Sequence, residues 1–192
     1  MFKKEDQVMS TSNSNATAKA STSISVKELT ITAVCIALTY VFTWLVNIRL
    51  PFAPNGGLIH LGNVPLFLAA ILFGRRTGAL SGAIGMGLFD LLSGWTAWAP
   101  FTFVIVGAMG YTVGIITEKH RGFGWKVVAM IAALAIKIGG YYIAEVILYG
   151  NWVVPASSIP GNVLQVVTAA IVVLLVSGRL QVLAERMGLC TK

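Results

Sequence analysis

Charge is what this sequence has least of. Only 11% of its 192 residues are Asp, Glu, Lys or Arg, against about a quarter in an ordinary soluble domain. A chain this poor in charge cannot cover a water-facing surface. It is also 56% hydrophobic, with a mean hydropathy of +0.80, which together reads as an integral membrane protein. The net charge of +7 raises nucleic acid as a partner. The basic residues form no stripe, however, and gather in short loops and at the two ends as membrane proteins arrange them, so no nucleic acid is expected. Cysteine is scarce too. Cys35 sits in the first apolar stretch and Cys190 in the C-terminal tail, so neither a disulfide nor a metal site is expected. Catalytic signatures are missing: there is no GxxxxGK[ST], HExxH, GxSxG or paired-aspartate motif. The chain is therefore not expected to hydrolyse ATP by itself, and no catalytic residue, metal or cofactor is assigned.

What is present is a series of apolar segments: Lys27 to Ile48, Asn63 to Phe73, Thr77 to Ser93, Trp98 to Thr117, Trp125 to Tyr149 and Ile159 to Leu183. A spanning helix needs about 20 residues. The first, fourth, fifth and sixth segments meet that length, the third is marginal and the second is short. They do not alternate in polarity as barrel strands of about 10 residues would. One set of ends carries Lys3, Lys4, Lys19, Lys27, Arg75, Arg76, Lys119, Arg121, Lys126, Arg179, Arg186 and Lys192, the other Arg49 alone. The positive-inside rule then predicts an all-α membrane protein of six transmembrane helices with both termini in the cytosol. Residues 1–26, polar and without the apolar run of a signal peptide, are expected to be a disordered cytosolic tail. The expected membrane domain is 27–187, with a cytosolic tail at 188–192.

Pro65 fits the first turn of a helix, which leaves the second segment roughly 18 Å long against a hydrocarbon core of about 30 Å. Two readings follow. Either "PNGGLIHLGN" dips beneath the outer surface and roofs a cavity, since irregular backbone at that depth must face protein or water, or the bilayer thins or the helix extends back through Leu58. Small residues recur at a spacing of four in the third segment (Gly78, Gly82; Ser81, Gly85; Ala79, Ala83, Gly87) and in the first (Ala33, Ala37). Such spacing lets helices approach closely. In the third segment it points to packing within the bundle. For Ala33 and Ala37, packing and docking both stand.

"GLFDLLSGWTAWAPFTF" holds one acid, Asp90, with no basic residue between Arg76 and Lys119. Lys137, Tyr141 and Glu145 follow at i, i+4 and i+8 on one face of the fifth segment. Ionisable groups in a span usually face the interior and pair, so this face either ties Lys137 to Glu145 or lines a polar pocket. Asn162 and Gln165 open the sixth segment, and unpaired amides are costly in lipid. With His60, Asn63, Trp95, Trp98 and Thr102 they are expected on the outer half, as an aromatic and amide cluster suited to a planar heterocycle. Asp90 is expected either to support that cluster by accepting hydrogen bonds from the "SGW" turn or to contact the ligand directly. Two readings from other classes are an intramembrane enzyme using Asp90 or Glu145, and a purely structural bundle.

The stretch Gly56 to Gly114, with its glycine-rich turn, its acid followed by Leu-Leu-Ser-Gly and its aromatic-Ala-Pro-Phe-Thr run, resembles the substrate-binding S components of energy-coupling factor (ECF) vitamin transporters. The resemblance covers about Lys27 to Arg186, is to the hydroxymethylpyrimidine and pyridoxine type, and extends to the riboflavin type. It implies six helices with a ligand near the outer face under the first loop. It also implies Ala33 and Ala37 docking on a membrane-embedded T component, two ATP-binding subunits supplying energy, and an S component that topples within the lipid of a bacterial plasma membrane. The ligand it implies is hydroxymethylpyrimidine or pyridoxine, with riboflavin or another vitamin as the alternative.

Overall fold

The computed structural model describes residues 25–49 and 58–189. The expected N-terminal tail (apart from its last residues), the loop before Leu58 and Cys190 lie outside the described residues. Ser25 opens the first helix, α1 (Val26–Leu45), its hydroxyl accepting the Glu28 amide at 3.1 Å, the usual role of serine at that position. β1 (Asn47–Arg49) and β2 (Leu58–His60) pair antiparallel, with Asn47 opposite His60. Residues 58–60 are therefore strand. This corrects the reading in which the next helix extends back through Leu58: strand pairing satisfies the backbone there instead.

α2 (Asn63–Phe73) keeps Pro65 in its first turn and begins two residues before it. Eleven residues give about 16 Å of helix. Val64, Leu66, Phe67, Ala69, Ala70 and Ile71 are all buried, because α2 lies inside the bundle and touches α1 and three of the helices that follow it. α3 (Arg75–Leu92) follows across Gly74, whose φ of 89° is one that L side chains rarely adopt. α4 (Ala99–Lys119), α5 (Phe123–Tyr149) and α6 (Ile159–Arg186) complete the chain, a short 3-10 turn (Val154–Ser158) leading into α6. Pro100 and Pro160 occupy the first turns of α4 and α6, where no helical N–H is lost.

The small residues of α3 are spent inside the bundle. A Cβ on Gly78 would stand 2.8 Å from the Gly110 carbonyl oxygen, and one on Gly82 2.8 Å from that of Val106. Glycine at these positions lets α3 lie backbone to backbone on α4. Gly85 meets Thr39 of α1 in the same way. α1 packs through Thr32, Cys35, Thr39 and Thr43, with Thr32 hydrogen-bonded to Thr77 at 3.1 Å. Cys35 is a buried free thiol.

α1, α4, α5 and α6 are long and apolar enough to cross a membrane. Leu, Val, Ile and Phe side chains stand exposed along their outer faces, as lipid contact requires. At the end away from the hairpin, Arg121 pairs with Glu185 at 2.8 Å, Arg75 with Glu118 at 3.8 Å, and Lys27 donates to the Gly188 carbonyl. The expected division at residue 188 thus falls on a residue tied back to α1.

Candidate functional site

The polar side chains singled out in the sequence converge at the hairpin end of the bundle. Lys137, 1% exposed on α5, donates to Gln165 Oε1 on α6 at 2.9 Å and lies 5.4 Å from the Tyr141 ring centroid. The Tyr141 hydroxyl is 3.0 Å from Thr102 Oγ1 on α4. The Asp90 carboxyl of α3 faces Thr102 and lies within electrostatic reach of Lys137. His60 comes in from β2, buried and close enough to feel the charge of Lys137. Its Nδ1 accepts the Gly62 amide at 3.3 Å, which leaves Nε2 to carry the proton of the neutral ring. Four helices and a strand thus deliver six polar side chains to one connected network.

Two expectations need correction. The tie between Lys137 and Glu145 is not formed: Lys137 donates to Gln165, and Glu145 lies by Ser158 of the turn before α6, whose hydroxyl donates to the Pro155 carbonyl. Among the described residues the ion pairs are Arg75–Glu118 and Arg121–Glu185. One helical face had placed Lys137 and Glu145 together, but each reaches outward to a neighbouring element. Asp90 also acts differently. Its main-chain carbonyl accepts the Trp95 amide at 2.9 Å and so closes the "SGW" turn, while its carboxyl reaches across to Thr102.

Trp98 stands between Trp95 and Tyr149, with ring centroids 6.5 and 5.9 Å away. These tilted rings form a partly exposed aromatic row at the same end, in an arrangement aromatic pairs favour. Asn162 lies one turn before Gln165 on α6, half-buried. Ala33 and Ala37 are exposed on α1 beside Val34, Leu38 and Val41.

Three atoms of the cluster lack partners. Both Nδ2 and Oδ1 of Asn63 and one carboxyl oxygen of Glu145, Oε2, are buried with no hydrogen bond. Asn63 is 0% and Glu145 4% exposed. Buried polar groups are nearly always hydrogen-bonded, and an orphan costs about 1–3 kcal/mol. Asn63 opens α2 and Glu145 lies near the end of α5, so the unmet donor and acceptor capacity comes from two elements distant in sequence.

Sequence reasoning missed Ser158, whose signal is its place just before a helix start. It also misplaced Lys126, counted among the loop charges but buried on α5 and donating to Ser177 Oγ at 3.1 Å and Gln181 Oε1 at 2.6 Å. The i, i+4 spacing of Ser177 and Gln181 was the available clue.

Four helices long and apolar enough to cross a membrane, around an apolar core with buried polar side chains gathered at one end, define a membrane protein. Residues 23–182 match the family model described as ECF-type riboflavin transporter, S component. The chain belongs to this family of transporter substrate-binding components, and the intramembrane-enzyme reading is set aside with that. Similar proteins include the thiamine precursor transporter HmpT of Lactococcus lactis subsp. cremoris (strain MG1363), 29% identical over 80% of this chain and 84% of the relative. An uncharacterised protein of the gap 3′ region of Pyrococcus woesei is 27% identical over 73% of this chain and 92% of that protein. The fold matches the solved S component of a bacterial ECF transporter with a TM-score of 0.66 and 22% identity, over 80% of this chain and 95% of that one.

Proposed function

We propose that this chain captures a small heteroaromatic vitamin or vitamin precursor from outside the cell, with hydroxymethylpyrimidine or pyridoxine as the leading ligands. The observation that carries the reading is the set of buried, unpartnered atoms on Asn63 and Glu145, at the same end of the bundle as the network of His60, Thr102, Lys137, Tyr141 and Gln165. A single-ring heterocycle would complete those hydrogen bonds while Trp95 and Trp98 stack on its faces. Asn162 would border the site, and Asp90 would hold Thr102 in place. The thiamine-precursor relative supports this ligand class. Riboflavin is the second reading, favoured by the description of the family model.

In this reading six helices cross the plasma membrane, both termini are cytosolic, and the β1–β2 hairpin end faces outward. Arg75, Lys119, Arg121, Lys126, Arg179 and Arg186 at the opposite end support it. A T component and two ATP-binding subunits would supply the energy, with Ala33 and Ala37 as the docking stripe. The test is calorimetry on the detergent-purified chain across hydroxymethylpyrimidine, pyridoxine, riboflavin and thiamine without ATP. Saturable binding of a heteroaromatic compound is expected. No heat with any of them, from protein that is monodisperse and helical, would overturn the reading.

A further inference from the structure

We propose that the Asn63 side chain reads a hydrogen-bonding edge of the ligand, and that this edge selects an aminopyrimidine over a pyridine such as pyridoxine. The inference rests on the reading that the hairpin end is the ligand site. A carboxamide presents an acceptor and a donor side by side in one plane. In Asn63 both are buried and both are without a partner, on a side chain held at the first residue of the most enclosed helix, α2. The complement to such a pair is a planar ring that offers an acceptor and a donor on adjacent atoms. A ring nitrogen beside an exocyclic amine has that pattern, and asparagine recognises adenine in the same way.

A 4-aminopyrimidine fits with Oδ1 accepting an amino N–H and Nδ2 donating to the neighbouring ring nitrogen. Glu145 Oε2 is an acceptor awaiting a donor. The second amino N–H or a 5-hydroxymethyl hydroxyl would supply one. Pyridoxine offers no such edge, because its ring nitrogen is flanked by a methyl-bearing carbon and a C–H. It would leave at least one end of the Asn63 amide unpaired.

The experiment compares three probes, 4-amino-5-hydroxymethyl-2-methylpyrimidine, its deamino analogue and pyridoxine, on the wild-type chain and on the Asn63→Leu and Asn63→Ala variants. Wild type should bind the amino compound at least about 100-fold more tightly than the other two, since a site built for an N–H rejects a ligand without one. Both variants should lose about 100-fold for the amino compound and change by less than about threefold for the deamino analogue. Without ligand, Asn63→Leu should melt no lower than wild type, because the amide it removes bonds nothing in the protein. Variants that keep the discrimination overturn the assignment. So does failure of both variants to fold, which would make the amide structural. Wild type that binds pyridoxine or riboflavin but not the aminopyrimidine overturns this inference alone. Wild type that binds none of the panel overturns the ligand-site reading as well.

Discussion

Glu145→Gln separates a ligand contact from a structural one. Glu145 is 4% exposed, lies by Ser158 and leaves Oε2 unpaired. Glutamine keeps the shape and removes the charge. If Oε2 accepts a hydrogen bond from the ligand as a charged group, its loss costs about 1.5–3 kcal/mol. At 1.4 kcal/mol per tenfold, that is a roughly 10- to 150-fold rise in Kd. The empty protein should respond in the opposite direction. A buried carboxyl oxygen with no partner is a cost to the fold, and a neutral amide there reduces it, so melting without ligand should hold or rise. Titration calorimetry and thermal unfolding on the same preparation read both quantities. An unchanged Kd with a lowered melting temperature would refute the reasoning, because it would mean that Glu145 is held by the protein.

Other perturbations test the surroundings. Asp90→Asn should remove the acidic neighbour of Lys137 while keeping the shape of the side chain, and so lower the melting temperature modestly in thermal unfolding. Affinity should fall less than it does for Glu145→Gln. Trp98→Ala removes ring contacts to Trp95 and Tyr149, each worth about 0.5–1.5 kcal/mol, and should weaken ligand binding in calorimetry. Gly78→Val would drive side-chain atoms toward the Gly110 carbonyl. It should destabilise by at least about 1–3 kcal/mol, seen as lower melting or loss of monodisperse protein.

How legible each feature was depends on how local its cause is. α2 begins and ends where the apolar segment does, at Asn63 and Phe73, and α5 ends at Tyr149 before the αL glycine Gly150. These limits come from apolar contrast, prolines and glycines, all local. The family was legible because a run from Gly56 to Gly114 keeps its motif in order. The hairpin was not, since β1 and β2 are three residues each, too short for alternation to register. The partners of Lys137 and Glu145 were not legible either. Which residue of α6 or the preceding turn meets a given turn of α5 depends on how the helices are rotated against each other. Lys126 fails for the same reason. A lysine at a helix start reads as a loop charge until α6 brings Ser177 and Gln181 over it.

Ala33 and Ala37 are where local and tertiary information meet. Their spacing of one turn was visible, but whether the stripe packs or docks was not. α1 uses Thr32, Cys35, Thr39 and Thr43 against the bundle, and Ala33 and Ala37 lie exposed off that line. Replacing both with leucine therefore adds bulk where nothing in this chain is displaced. The fold should change by less than about 0.5 kcal/mol, as exposed substitutions do, and vitamin affinity should be unaltered. If small side chains are there so that a T-component helix can approach closely, the double variant should fail to copurify with the coupling module, and uptake in cells should stop. Because stability and binding are measured on the isolated chain and assembly on the complex, a general folding defect cannot pass for a docking defect. Transport at the wild-type rate by the double variant would remove this face of α1 from the mechanism.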